Sequence, residues 1–255
     1  MKYEYKYIVP RDILPELRSR IAPFMVHDEY MAFGGPEGYT VRSIYCDTLN
    51  FDDYHEKYSG IKIRKKIRIR GYNEEDPDNI VFLEVKRKNE KKIYKNRAPV
   101  KFKNLKDIMI TGDIDKYVQE IKGFKAAKED SKHFLFNYYT NNLRPVVTVI
   151  YDREAFHGAF DKSFRITFDK NLRSVIHPDL NCLYREDDVK YSNVKNFIFE
   201  VKFFHIFPSW LKSIIGTLKL DLKAFSKYTT CVDEHNAVNR TTRLIQNDYV
   251  RQVSF

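Results

Sequence analysis

Isoleucine alternates with arginine and lysine through 61-IKIRKKIRIRGY-72: Arg64, Lys66, Arg68 and Arg70 fall on one parity, and Ile61, Ile63, Ile67 and Ile69 on the other. Side chains on a strand point alternately to opposite faces, so four cations share one face at spacings of about 6.5–7 Å. Such a row repels itself unless anions stand opposite it. Guanidinium forks grip phosphate oxygens in pairs, and lysine ammoniums serve as movable point charges. Carboxylates recur on the same kind of face: Glu84 with Lys86 and Lys88 in 79-NIVFLEVKRK-88, Asp169 with Arg165 in 163-SFRITFDK-170, Glu200 with Lys202 in 196-NFIFEVKFF-204, and Glu4 between Lys2 and Lys6. Near residue 150, Tyr151 and Arg153 share one parity, Asp152 and Glu154 the other. A hard divalent cation takes one or two carboxylates, several waters and substrate phosphates. Cations for phosphate beside carboxylates for a metal that also touches phosphate is a division of labour that this mixture suits. It suits a nucleic-acid groove poorly, because acids on the binding face would repel the backbone.

The elements that must hold these residues are mostly strands. Expected strands cover Lys2 to Val9 and residues 39–48, 61–72, 79–88, 91–100, 146–156, 163–172, 180–186 and 196–204. The polar turn 73-NEEDPDN-79 makes a hairpin of two of them. Helices are expected over Asp12–Ile21 and residues 51–60, 113–124, 131–142, 208–220 and 233–248. The fifth of these carries an apolar stripe of Trp210, Leu211, Ile214, Ile215 and Leu218. About eight strands in hairpin order predict an antiparallel sheet in an α+β fold. The simplest organisation is one domain over 1–255, with a mostly helical insertion around 104–142 and a C-terminal helix. Two arrangements fit the pattern. An open sheet would leave its charged face in water. An eight-stranded barrel would turn the charged faces inward around a tunnel, with helices packed outside. The mixture of acids and bases favours closure, because a bore lined by cations alone would bury unpaired charge.

The 255 residues are 43% hydrophobic and 31% charged, which excludes a disordered chain. Aromatics reach 15%, nearly all Tyr and Phe, which leans toward β-structure and is read as packing, not base stacking. The formal net charge of +10 predicts an anionic partner. Cys46, Cys182 and Cys231 form no CxxC pair, so a reducing, cytoplasmic setting is expected. The N-terminus has no apolar signal region, and no run approaches the ~18 apolar residues of a membrane span.

The set 4-EYKYIV-9, 68-RIRGY-72, 83-LEVKRK-88, 151-YDREAF-156, 164-FRITFD-169, 199-FEVKF-203 and 226-SKY-228 resembles the VTC domain, the catalytic domain of polyphosphate polymerases within the triphosphate tunnel metalloenzyme (CYTH-like) superfamily. The resemblance runs from residue 2 to about 230, in the family's order. It implies an eight-stranded antiparallel tunnel, transfer of the γ-phosphate of ATP to a growing polyphosphate chain with release of ADP, and dependence on Mn²⁺ or Mg²⁺. Carried over motif by motif, Lys6, Arg68, Arg70, Lys86, Arg153, Arg165 and Lys202 bind phosphates. Arg97 joins them, with Lys95 as the alternative register. Lys227 sits near the reacting phosphate, so Lys227, Arg68 and Arg70 are the catalytic candidates. Glu200 is the metal ligand; Glu4, Glu84 and Asp169 are second-rank ligands or salt-bridge partners that orient the bases. The tunnel hydrolases and cyclases begin with a Glu-x-Glu-x-Lys strand, whereas this chain reads Lys2, Glu4, Lys6. That departure suits the VTC branch. The partners implied are ATP and polyphosphate, no nucleic acid, and a membrane subunit on a separate chain. The alternatives are a hydrolase of inorganic or nucleoside triphosphate with the same fold, and a polyphosphate-binding module without turnover.

Overall fold

A computed structural model describes residues 2–35, 38–89 and 92–239. Its strands are β1 (Lys2–Pro10), β2 (Met25–His27), β3 (Tyr39–Asp47), β4 (Ile63–Tyr72), β5 (Ile80–Asn89), β6 (Lys92–Lys101), β7 (Arg144–Gly158), β8 (Arg165–Ile176), β9 (Lys190–Tyr191) and β10 (Asn196–Phe204). Its helices are α1 (Leu14–Ile21), α2 (Asp52–Tyr58), α3 (Leu105–Thr111), α4 (Ile114–Tyr117), α5 (Ala127–Thr140), α6 (Ser209–Thr217) and α7 (Lys227–Glu234).

Eight strands are hydrogen-bonded neighbours in the order β1-β10-β8-β7-β3-β4-β5-β6, with β2 on β7 and β9 on β8. The β1–β10, β10–β8, β2–β7, β4–β5 and β5–β6 ladders are antiparallel. A large antiparallel sheet with helices is therefore present, but the expected closure into an eight-stranded barrel is not: β1 and β6 end the path among the described residues. Each outer edge is occupied by its own surroundings. On β1, Tyr7 bridges Leu222, and the Lys223 N–H donates to the Lys6 carbonyl at 2.9 Å. On β6, Val100 bridges Val118, the Gln119 N–H donates to the Pro99 carbonyl at 2.9 Å, and the Arg97 N–H donates to the Asp130 carboxylate at 2.8 Å. Edges satisfied in this way have few free backbone groups left to pair with one another.

The chain divides into two compact units. The first is Met1–Val41, Ile150–Arg173 and Tyr191–Ser226; the second is Arg42–Val149, Ser174–Lys190 and Lys227–Phe255. In the first, Tyr7 and Val9 of β1, Ile166 and Phe168 of β8, and Phe197, Phe199 and Val201 of β10 form a core with Leu17 and Ile21 of α1 and Leu211 and Ile214 of α6. In the second, Ile67 and Ile69 of β4, Val81, Leu83 and Val85 of β5, and Ala98 and Val100 of β6 pack against Leu105, Ile108 and Met109 of α3 and Phe134 and Leu135 of α5. Period-two alternation does the sorting in both. One parity of each strand lies under helices, and the ionic parity takes the other face.

Three expected elements differ. Residues 180–186 form no strand: Asp179 accepts from the Asn181 N–H at 3.0 Å, and the resulting single turn puts Leu183 and Tyr184 into the second core. The helix expected over 113–124 stops at Tyr117, because Val118 turns extended to bridge Val100. The short strand β2 gives no sequence signal of its own. The final helix expected over 233–248 lies mostly outside the described residues, which end at 239; α7 occupies Lys227–Glu234 instead.

Helix cover over β4–β6 makes Phe134→Ala a test of the second core. Phe134 is fully buried, so its loss is expected to cost about 3–5 kcal/mol in denaturant unfolding. Phe136→Ala, on the exposed side of the same helix, is expected to stay within about 0.5 kcal/mol of the parent.

Candidate functional site

In the second unit, register decides which charges meet. Across β4, β5 and β6 the opposed residues are Arg64↔Lys88, Lys66↔Lys86↔Lys95, Arg68↔Glu84↔Arg97 and Arg70↔Phe82↔Pro99. These four rows thus present eight bases and one carboxylate on the face away from α3 and α5. Directly opposed like charges are destabilising, so this face is held together around Glu84.

The Glu84 side chain is 0% exposed. Its Oε2 accepts from Arg68 Nε at 2.7 Å and lies 2.6 Å from Arg68 Nη2. Its Oε1 accepts from Arg97 Nε and lies 3.0 Å from Lys95 Nζ. The guanidiniums have further holds. Arg68 Nη1 donates to Tyr45 Oη at 2.9 Å, Arg97 Nη2 to Tyr72 Oη at 2.8 Å, and Arg70 Nε to Ser43 Oγ at 3.0 Å. Arg97 also lies 4.2 Å above the Phe82 ring centroid, a cation–π contact. Each fork therefore has its plane fixed before any ligand arrives.

Charge crowding shows in the titrations. Burial alone would raise the Glu84 carboxyl, but Arg68, Arg70, Lys95 and Arg97 together hold it well below the carboxylate range. Burial likewise opposes ionisation of Tyr45, yet Arg68, Arg70 and Lys66 bring its phenol down to about 7. Tyr72 is lowered too: Arg70 and Arg97 outweigh its burial. Lys95 keeps 41% of its side-chain exposure, but partial burial of its ammonium and the nearby Arg97, Arg68 and Arg70 outweigh Glu84 and lower it to about 7.

Lys227 opens α7, and its neighbour fixes that helix to the unit. Tyr228 Oη donates to Asp47 Oδ2 at 2.5 Å, the Tyr228 ring stacks on Tyr45 at 5.1 Å, and Lys66 Nζ lies 5.1 Å from the Tyr228 ring centroid. Asp47 also accepts the N–H groups of Thr48, Asp53 and Tyr54, so one buried carboxylate holds both the start of α2 and α7. At the other end of α7, Asp233 accepts from Tyr54 and Tyr58.

The first unit carries a different pattern. Its ionic face pairs Lys6↔Glu200↔Thr167 and Glu4↔Lys202↔Arg165. Lys6 Nζ lies 3.0 Å from Glu4 and 3.7 Å from Glu200, and Lys202 Nζ lies 2.5 Å from Glu200 and 3.9 Å from Glu4. This is a neutral two-by-two array of acids and bases. Arg153 closes both arms on Asp169, at 2.6 and 2.8 Å, and Asp169 is fully buried. Burial would lower the Arg153 guanidinium, but Asp169 and Tyr151 hold it well above its usual value. Close packing sets that segment: a Cβ on Gly38, at φ +109°, would fall 2.3 Å from the Arg153 carbonyl oxygen. Arg165 reaches Asp28 at 2.9 Å and Tyr39 Oη at 3.4 Å. Buried Arg165 Nε and Thr167 Oγ1 have no hydrogen-bond partner among the described residues.

Of the residues singled out from sequence, Arg68, Arg70, Lys86, Arg97 and Glu84 share one face of the second unit, which also carries Lys227 on α7. Lys6, Glu4, Glu200, Lys202 and Arg165 share one face of the first, where Arg153 and Asp169 are paired with each other. Lys95 is not an alternative to Arg97; both bind Glu84. The Glu84 and Asp169 oxygens are taken by guanidiniums. Asp152 and Glu154, on the opposite parity of β7, pair with Arg173 and with Arg18 and Lys170 respectively. Among the described residues no three His, Cys, Asp or Glu gather as a metal site. Glu4 and Glu200 supply two hard oxygen donors on adjacent strands, which fits a cation that completes its shell with water and substrate oxygens.

Ser43, Tyr45, Tyr72, Asp28 and Tyr39 were not singled out from sequence. The signal for the first two was present: in 39-YTVRSIYCDT-48, Ile44 and Cys46 belong to the apolar parity, which leaves Ser43, Tyr45 and Asp47 on the ionic one.

The VTC domain model matches residues 1–235. A vacuolar transporter chaperone complex subunit 4 from Trypanosoma cruzi is 25% identical over 202 residues, covering 66% of this chain and 25% of that protein. Its counterpart from Trypanosoma brucei brucei is 26% identical over 267 residues, covering 88% of this chain and 33% of that protein. The chain thus spans a quarter to a third of the length of these curated relatives. A solved structure of a Hippeastrum protein first assigned as an adenylyl cyclase, and described as having a dominant triphosphatase activity, aligns with a TM-score of 0.45 at 13% identity over 89% of this chain and 93% of that one.

An anion bound at Arg68 and Arg70 would bring negative charge beside Tyr45 and Lys95. Both groups sit near pH 7, and both then hold their protons more tightly. Binding of tripolyphosphate is expected to take up protons, and its affinity to fall as pH rises from about 7. Calorimetry in two buffers of different ionisation enthalpy measures the uptake, and Tyr45→Phe is expected to reduce it. Proton release on binding would contradict the assignment.

Proposed function

The chain belongs to the VTC-domain family, and from that premise we propose that it is a metal-dependent polyphosphate polymerase, transferring the γ-phosphate of ATP to the end of a polyphosphate chain. One observation carries this reading: four rows across three adjacent strands set eight bases on one face with a single fully buried carboxylate, Glu84, which binds three of them. One acid cannot neutralise that many cations, and a chain of phosphates can.

Phosphoryl transfer asks little covalent chemistry of a protein; it asks for alignment and charge neutralisation. In this proposal Arg68, Arg70 and Arg97 offer forks already oriented by Glu84, Tyr45, Tyr72 and Ser43. Lys86 and Lys227 supply movable charges, with Lys227 placed by the Tyr228–Asp47 hydrogen bond. In the first unit Lys6, Lys202, Arg153 and Arg165 bind phosphate oxygens as well. An oxygen of the terminal phosphate of the acceptor chain attacks the γ-phosphorus, the bond to the β-phosphate oxygen breaks, and ADP leaves with that oxygen. No side chain is the nucleophile.

Glu200 with Glu4 would hold Mn²⁺ or Mg²⁺; bound there, the ion would neutralise charge on phosphate oxygens. Glu84 and Asp169 orient guanidiniums in this reading, since their oxygens are already engaged. The relatives are subunits of a vacuolar transporter chaperone complex, so a companion membrane subunit is part of the proposal. No described helix is long and apolar enough to cross a membrane. The described cysteines are free, in keeping with a reducing, cytoplasmic setting.

Incubation of the purified chain with ATP and Mn²⁺ is the test, with products separated on a gel stained for polyphosphate. Ladders of long polymer are expected. Lys227→Ala is expected to lower kcat about 10²-fold or more with the fold intact, and Glu200→Gln to abolish the response to Mn²⁺. Free phosphate from tripolyphosphate without polymer would identify a hydrolase, and binding without turnover a binding module.

A further inference from the structure

The basic face does not end at the Glu84 cluster. Arg64 lies two and four residues before Lys66 and Arg68 on β4, so the row continues about 13 Å beyond Arg68 at strand rise. There the register sets Arg64 directly opposite Lys88 on the ionic face, and Lys65 opposite Arg87 on the face that α5 covers. On that covered side Lys65 Nζ donates to Asn137 Oδ1 of α5 at 3.2 Å, and Arg87 Nη2 to Asn96 Oδ1 at 3.0 Å. Arg64 and Lys88 make no hydrogen bond or ion pair among the described residues. All four line an open groove of about 540 Å³ at the end of the ladder, where Glu56 is the one carboxylate among the described residues.

The two ends of β4 therefore differ in kind. At Arg68 the bases share a buried acid and are oriented by hydroxyls. At Arg64 two bases stand opposed, with no acid bonded to either among the described residues, at the edge of solvent. Like charges held across a ladder are a standing cost that a bound anion removes. The row between the two ends, through Lys66 and Lys86, leaves no apolar gap. A linear polyanion gripped at Arg68 meets cations at every second residue until it reaches the groove, whereas a triphosphate is shorter than that span.

We propose that Arg64 and Lys88, where the ionic face meets this groove, form a second polyanion subsite, which holds the distal part of a linear polyphosphate whose near part lies on the Glu84-centred cluster. This rests on the reading of that cluster as a phosphate site. It adds a residue-level prediction: the groove discriminates by chain length. Long polyphosphate engages both regions and gains from their linkage, and tripolyphosphate engages only the first.

The experiment needs no turnover. Binding of long-chain polyphosphate and of tripolyphosphate to the whole chain is measured for the parent and for Arg64→Gln/Lys88→Gln. The double variant is expected to bind long polyphosphate about tenfold more weakly with a flatter salt dependence, and tripolyphosphate within about twofold of the parent. Arg64→Lys/Lys88→Arg, which keeps both charges, is expected to bind both ligands as the parent does, and it separates loss of charge from loss of fold. Unchanged long-chain affinity in the glutamine variant would overturn the subsite, as would equal weakening for both ligands. Loss of binding to RNA, or to phosphatidylserine vesicles, with polyphosphate affinity intact would assign the groove to another partner and also overturn it. If the parent binds neither phosphate ligand, the cluster reading fails with it; if the parent binds both and only the variant result is negative, the cluster reading stands and the groove alone falls.

Discussion

Burying one carboxylate among arginines and lysines is the constraint on which the rest of the second unit depends. Glu84 sits on the middle strand of three, where its two oxygens can reach Arg68 on one side and Arg97 and Lys95 on the other. A carboxylate so placed gives up its hydration, and only charged hydrogen bonds from both neighbours offset that loss. The guanidiniums gain in turn a fixed plane. Their remaining N–H groups meet Tyr45 and Tyr72, while Ser43 fixes Arg70 nearby. The apolar parity under α3 and α5 is the other half of the same fact, because alternation can send bases to one face only if isoleucine, valine and leucine fill the other.

The first unit answers the same problem differently. Lys6, Glu4, Glu200 and Lys202 alternate across β1 and β10, so each acid has two bases within reach and the array carries no net charge. Arg153 and Asp169 neutralise each other by a two-armed pair. The two faces therefore ask for different ligands. A self-neutralised array can exchange a lysine contact for a divalent cation with little change in its own charge, whereas the β4–β6 face, with more bases than acids among the described residues, gains most from a ligand that is itself a chain of anions.

Much of this was legible in the sequence because it rests on parity. The assignment of Arg68, Arg70, Glu84, Lys6, Glu200 and Lys202 to ionic faces follows from period-two alternation, and the register of the β4–β5 hairpin then brings Arg68 opposite Glu84. Motif order was enough to indicate the family. Sheet closure was not legible, because it turns on edge bonds from Leu222, Lys223, Val118 and Gln119, residues with no strand pattern of their own. The turn at Leu180–Cys182 was hidden for a similar reason: an Asp179 side-chain bond overrides a short apolar run. The tyrosines were assigned to packing by composition, yet Tyr45 and Tyr72 spend their hydroxyls on arginines. Ring packing and hydrogen bonding share one residue type, and only the parity of each position separates them.

Unfolding of Glu84→Gln by denaturant, with and without saturating tripolyphosphate, tests the central claim most directly. If the buried charge is what holds the basic face together, the variant loses about 3–5 kcal/mol without the anion, and tripolyphosphate stabilises it more than it stabilises the parent, because phosphate replaces the missing counter-charge. A variant as stable as the parent, or one whose deficit is the same at saturating tripolyphosphate, would contradict that claim.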